Sequence, residues 1–192
     1  SVVMAYIFRL ASKNTRIISV TNMLEASHIE KITGIYPLVI SNGISKTKLE
    51  DLKALKVFSV GNTKNIAYIG NVGIAQDLDT LIDLSKEIDN FTVTIVGDGA
   101  KLSELKKRCF DERLGNVFFT GLVSSEKVLK YIGQADILFA QIGPNFASAV
   151  PTKIFEYIAS GRPVLLGLPN GPAKEIFSEF KCVEIFDTGN LE

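Results

Sequence analysis

Lys153 and Glu156 stand three residues apart, just after a proline, in the stretch NFASAVPTKIFEYIASGRP that covers 145–163. From Pro151 to Gly161 that stretch predicts a helix. Proline at a first helical position loses no bond, because the N–H it lacks would have no intrahelical partner. The amides that follow, at the positive end of the helix dipole, suit an anion. The helical period sets Ile154, Phe155 and Ile158 on one face and Thr152, Lys153, Glu156 and Ser160 on the other. A phosphate could meet Lys153 and the amides, while sugar hydroxyls meet the Glu156 carboxylate one turn further in. The same spacing also describes an ordinary amphipathic helix with a solvated face.

The elements around that helix are regular from residue 66 onward. Apolar runs at 66–70, 91–97, 117–121, 136–141, 163–168 and 182–186 alternate with helical periods at 77–88, 101–109, 124–134, 151–160 and 173–180. Six short apolar strands alternating with five amphipathic helices predict an α/β fold. Its core is a doubly wound parallel six-stranded Rossmann-like sheet with helices on both faces. Upstream, 1–11 reads as a helix remnant and 16–21 as a strand. Residues 24–33 form a helix stopped by Gly34, and 37–45 a second strand. The Lys-rich stretch 46–65 is the linker candidate, which divides the chain into 1–45, 46–65 and 66–192.

In a doubly wound sheet of order 3-2-1-4-5-6, ligands bind where the order reverses, between the first and fourth strands. Counted from residue 66, the loop after the first strand is Gly70, Asn71, Val72, Gly73, and the loop after the fourth is 141–150, leading to Pro151. A glycine turn that permits close backbone approach and a proline-started helix should therefore flank one crevice. From Gly70 the sequence reads GNVGIAQ, which is not the dinucleotide fingerprint, and no acid closes the second strand unless Asp98 serves; an NAD dehydrogenase is disfavoured. No lysine follows a glycine-rich loop as a P-loop requires. Gly97, Asp98 and Gly99 form a turn after the second strand, for which backbone chemistry alone is a sufficient reason. Residues 117–123 could lay a base against backbone and apolar side chains.

Composition removes other classes. Hydrophobic residues make up 46% of the 192 and charged residues 22%, as in a folded globular chain. Twenty-one basic and 21 acidic side chains cancel, so there is no basic excess for nucleic acid. Cys109 and Cys182 lack metal or redox spacing, which points to core filling in a reducing compartment. One histidine, His28, and scattered acids offer no metal site. No apolar run is long enough to span a bilayer, while peripheral association stays open. The chain starts within a helical pattern and stops just after a strand and turn, which reads as a fragment.

The stretches AYIGNVGIAQDLDTLIDL, VTIVGDGAKLSELK, NVFFTGLVSSEKVLKYIGQADILFA and AVPTKIFEYIASGRPVL, in that order, resemble the C-terminal domain of retaining glycosyltransferases of family 4. Those enzymes have the GT-B architecture, two Rossmann-like domains facing a cleft. The subgroup most similar transfers sugars in bacterial surface-polysaccharide assembly (O-antigen, capsule or exopolysaccharide). Residues 16–45 look like the end of the family's N-terminal domain.

The resemblance implies a nucleotide-sugar donor, a UDP-sugar by preference, with no cofactor and no metal required. It makes Glu156 the acid that accepts hydrogen bonds from the ribose hydroxyls. Val150, Pro151, Thr152 and Lys153 become the loop and helix start that hold the diphosphate, with Lys153 stabilising the leaving group. Gly70, Asn71 and Gly73 become the glycine turn across the cleft. Gly97, Gly99, Gly121, Leu122 and Val123 become walls near ribose and base. Two departures follow. The second acid that many members carry eight residues before the first is here Ser148, and the usual Arg–Lys pair after the first strand is replaced by Asn71 and Gln76. Both leave the donor sugar open and fit amino or deoxy sugars better than a default hexose. The partners implied are the donor and a lipid-linked or saccharide acceptor, at the inner face of the cytoplasmic membrane or in the cytoplasm. Two rivals remain: a UDP-sugar 2-epimerase on the same architecture, and a nucleotide-binding module without catalysis.

Overall fold

The computed structural model describes residues 2–12, 15–55 and 63–188. Its main sheet is built from β3 (Lys64–Ile69), β4 (Phe91–Val96), β5 (Val117–Gly121), β6 (Ile137–Gln141), β7 (Val164–Leu168) and β8 (Val183–Asp187). The spatial order is β5-β4-β3-β6-β7-β8, every neighbouring pair parallel. Counted from β3 this is 3-2-1-4-5-6, the expected doubly wound order, with its reversal between β3 and β6.

The helices α4 (Asp79–Glu87), α5 (Leu102–Asp111), α6 (Ser125–Gln134), α7 (Thr152–Ala159) and α8 (Pro172–Phe177) cover it. Strand side chains alternate between faces, and the two faces make separate cores. Ile66, Tyr68, Val93 and Ile95 pack against Leu81 and Ile82 of α4 and Leu105 and Cys109 of α5. Ala67, Ile69, Leu138 and Leu166 pack on the other face against Ile132 of α6, Ile154 and Tyr157 of α7, and Phe177 of α8. Cys109 is a buried free thiol, as expected of a core filler, whereas Cys182 is only half-buried. Arg108 on α5 ties the first pair of helices together by donating to Asp79 and Asp83 of α4 and to Glu112.

Before this sheet lie α1 (Val2–Ser12), β1 (Ser19–Val20), α2 (Met23–Thr33), β2 (Leu38–Val39) and α3 (Lys46–Lys53). Asn22 caps α2 by accepting from Glu25 N, and Gly34, at φ 74°, ends it in the left-handed region that favours glycine. β1 and β2 pair in parallel but over two residues each, far short of the strands expected at 16–21 and 37–45. Strand extent is set by partners, and these two have only each other among the described residues.

The linker candidate 46–65 is also more ordered than its composition suggests. Ser45 caps α3, Leu52 is fully buried in the α7-side core, and β3 already starts at Lys64. The rest of that stretch, 56–62, lies outside the described residues, as does the end of the chain from 189. Among the described residues no helix is long and apolar enough to cross a membrane.

Candidate functional site

At the carboxyl ends of β3, β4 and β5, beside the reversal of strand order, a cleft of about 320 Å³ opens. Its walls are Gly70 and Asn71 after β3, Gly97 and Asp98 after β4, Leu122 and Val123 after β5, and Lys153 on the first turn of α7. Six of the residues singled out in the sequence (Gly70, Asn71, Gly97, Leu122, Val123 and Lys153) thus meet in one hollow. Leu122 is 80% exposed at its rim, an apolar surface of the kind a flat base could lie against.

The glycines of the cleft serve each other first. The Gly70 amide donates to Val96 O and the Val72 amide to Asp98 O, so the loop after β3 runs flush against the loop after β4. Gly97 sits at φ 141°, and a Cβ there would stand 1.8 Å from the Gly70 carbonyl oxygen. A Cβ on Gly99 would stand 2.4 Å from Val72 O. Close packing of two backbones accounts for both residues. The Gly97 amide donates in turn to Gly121 O, which extends the stack to β5.

Two buried phenols fix this edge. Tyr68 donates to Asn71 O at 2.6 Å. Tyr157, 1% exposed on α7, donates to Ile69 O at 2.9 Å and accepts from Ile69 N at 2.8 Å. Burial pushes both hydroxyls well above the ordinary tyrosine range, so they stay protonated and able to donate. Asn71 and Gln76, which stand where the resemblance expects an Arg–Lys pair, are engaged with each other. The Gln76 side-chain oxygen accepts from Asn71 Nδ2 at 3.3 Å and from the Gly73 amide at 3.2 Å. The turn after β3 is rigid and uncharged, and Gly73 lies inside it rather than on the cleft wall.

The helix start differs from expectation by one residue. Pro151 is the cap, with φ −69° and ψ 130°, and Thr152 is the first helical residue. The X-Pro restriction and the fixed proline φ shape the entry, not the first turn itself. The helix closes through Gly161 at φ 72°, as the sequence suggested. The amides of Thr152 and Lys153 find no acceptor among the described residues, which leaves them free for an anion.

Glu156 is not on a solvated face. Its side chain is 20% exposed, and Oε2 is buried without a hydrogen bond among the described residues. Two ammonium groups approach that oxygen: Lys153 Nζ at 3.9 Å and Lys48 Nζ, from α3, at 3.8 Å. Glu156 therefore sits behind Lys153, which touches both the carboxylate and the cleft. Lys48 was not visible to sequence reasoning, because nothing in a lysine-rich stretch marks one lysine as the partner of an acid in another element.

The loop before α7 is clasped from the N-terminal side. Asn22 Nδ2 donates to Ser148 O at 3.1 Å, and Asn42 Nδ2 donates to Val150 O at 2.8 Å. Val150 is buried in the α7-side core, so its role is packing and its carbonyl is already taken. Ser148 does not reach the cleft; it borders a separate hollow of about 680 Å³ under α2, together with Glu25 and His28.

The arrangement suits a ligand with a flat apolar end, hydroxyls and a strongly anionic middle. The family model described as glycosyl transferases group 1 matches residues 53–192. The chain belongs to that family.

No curated protein matches the chain. Solved structures do match this glycosyltransferase domain in fold. Sucrose-phosphate synthase from Thermosynechococcus elongatus has a TM-score of 0.76 at 15% identity, covering 99% of this chain and 50% of that one. HepE from Anabaena, in complex with UDP-glucose, has a TM-score of 0.74 at 17% identity, covering 97% and 55%. A mutant of TarM from S. aureus, in complex with fondaparinux, alpha-GlcNAc-glycerol and UDP, has a TM-score of 0.72 at 19% identity, covering 97% and 36%. The chain thus spans between about a third and a little over half of those proteins. Its parallel sheet is that of a GT-B C-terminal domain. The family match begins at residue 53, so Asn22, Asn42 and Lys48 all reach the α7 region from outside the matched segment.

Proposed function

We propose that the chain is the donor-binding part of a retaining glycosyltransferase of family 4, with a UDP-sugar as donor. The observation that carries this reading is the cleft at the strand-order reversal, where Lys153, on the first turn of α7, faces two glycine turns and an apolar lip. The base lies against Leu122 and Val123, the ribose hydroxyls donate to Glu156, and the diphosphate meets Lys153 and the amides of Thr152 and Lys153. Negative charge grows on the departing diphosphate as the glycosidic bond breaks. Donors already aimed at it stabilise the transition state more than the ground state. Lys153 is the residue on which that stabilisation rests most. In the retaining scheme the departing phosphate takes the acceptor's proton, so no general base is assigned to Glu156. UDP or UDP-glucose in the HepE and TarM structures supports the choice of nucleotide.

Residues 1–45 are in this reading the end of a preceding domain, and the acceptor, a lipid-linked or free saccharide of a surface polysaccharide, binds on that side. The site then works in the cytoplasm, at the inner membrane face. Titration of the chain with UDP, GDP, ADP and NAD, followed by calorimetry or by amide shifts at 150–156, tests the donor. Preference for NAD, or silence of those amides with every uridine nucleotide, overturns it.

Glu156→Ala tests the ribose contact separately. Loss of a charge-assisted hydrogen bond should weaken UDP by about 1.5–3 kcal/mol relative to 2′,3′-dideoxy-UDP, which has no ribose hydroxyls to donate to the carboxylate. Equal losses for both nucleotides would remove Glu156 from the ribose.

A further inference from the structure

We infer that Lys48, on the helix ahead of the family-matched segment, is a positioning residue of the donor site. It serves as the counter-ion of Glu156 and so leaves the charge of Lys153 for the donor's diphosphate. This rests on the reading of the cleft as a nucleotide-diphosphate site.

Three charges meet at one buried oxygen. Glu156 Oε2 has Lys48 Nζ at 3.8 Å and Lys153 Nζ at 3.9 Å, both too long for hydrogen bonds. The oxygen is neutralised while its lone pairs remain free. The two lysines are not equivalent. Lys48 has a side chain 27% exposed and does not border the cleft, whereas Lys153 is 41% exposed and does. With both present the trio carries one surplus positive charge, on the residue that faces the cleft. Without Lys48 a buried carboxylate has Lys153 as its near counter-charge, and an ammonium committed to a carboxylate is a poor partner for phosphate.

The placement of Lys48 is built, not incidental. Ser45 caps α3 by accepting from Lys48 N, Leu52 anchors the helix in the core at 1% exposure, and Asn42, three residues ahead of the cap, donates to Val150 O beside the start of α7. The helix that carries Lys48 is thus fixed relative to the helix that carries Glu156 and Lys153.

The test is a charge exchange read by titration with UDP and with inorganic pyrophosphate. Lys48→Met should weaken both by about tenfold, with a thermal midpoint close to that of the unaltered chain. Lys48→Arg, which keeps the charge, should stay within about threefold of it. The pair Lys48→Met with Glu156→Gln restores the surplus charge and should recover pyrophosphate, though not the ribose share of UDP affinity. Undiminished binding by Lys48→Met, failure of Lys48→Arg to hold affinity, or pyrophosphate binding by the pair no better than by Lys48→Met alone each overturns the assignment. Absence of UDP binding by the unaltered chain is a different result: it removes the nucleotide reading itself, and the role of Lys48 with it.

Discussion

Gly97→Ala should destabilise the fold by roughly 3 kcal/mol or more and dismantle the cleft. At φ 141° the backbone is one that L side chains rarely adopt, and the added carbon would stand 1.8 Å from Gly70 O and 2.9 Å from Gly70 C. Both are main-chain atoms of the neighbouring loop, so no rotamer change can relieve the clash. Relief means parting the loops, which breaks the bonds from Gly70 N to Val96 O and from Val72 N to Asp98 O. Gly115→Ala is the matched control, since nothing lies within 4 Å of a Cβ there. It should change stability by no more than about 0.5 kcal/mol. Urea unfolding of the two variants measures the contrast. Similar midpoints would mean that the two loops are not interlocked.

Tyr157→Phe should cost about 2–4 kcal/mol, because one missing hydroxyl leaves both the N–H and the C=O of Ile69 without their partner in a dry core. The ring itself is kept, so cavity formation contributes little. Stability also gains a characteristic pH dependence. Burial raises the folded-state hydroxyls of Tyr68 and Tyr157 above the ordinary value, while in the unfolded chain they ionise near the ordinary tyrosine value of 10.0. The stabilisation is therefore complete below about pH 10 and declines as pH rises beyond it. Tyr157→Phe should make that alkaline decline shallower, and denaturation at a series of pH values reads both effects at once. A decline of equal steepness in the two proteins would assign it to other groups.

The sheet was legible because each strand from 64 onward is an apolar run bounded by glycine or polar turns, and because parallel strands buried on both faces tolerate little else. Strand order followed from general topology rather than from any residue. The weak point was the N-terminal segment. A run such as 16–21 carries strand propensity along its length, but only Ser19 and Val20 find a parallel partner. Within the site, the convergence of Lys153 with Gly70 and Leu122 could be anticipated from the strand-order reversal. The helix face could not. Glu156 looked solvent-facing because helical period records direction, not what arrives from elsewhere, and α3 arrives to cover it. The clasp from Asn42 to Val150 spans 108 residues, a separation at which two polar residues give no joint signal in one sequence. The glycines mark a further limit: close approach was expected at Gly70 and Gly73, whereas Gly97, read only as a turn residue, is the one pressed against the carbonyl of Gly70.

The pairing of β3 with β6 also has a consequence for how the chain is made. Ile66 lies beside Ile137 and Ala67 beside Leu138, so β3 borders only β4 until the chain has been synthesised past β6. Emerging from the ribosome, β3, β4 and β5 can join with α4 and α5 as an early unit whose β3 edge is bare. Such an edge invites pairing with other nascent chains. Ile69, at its end, awaits Tyr157, and the cleft awaits Lys153. Translational pauses that fall after β5 has emerged and before β6 has should therefore prolong a sticky intermediate. The site is the last part of the early unit to mature, because its closing residues are supplied by the half of the sheet that is made last.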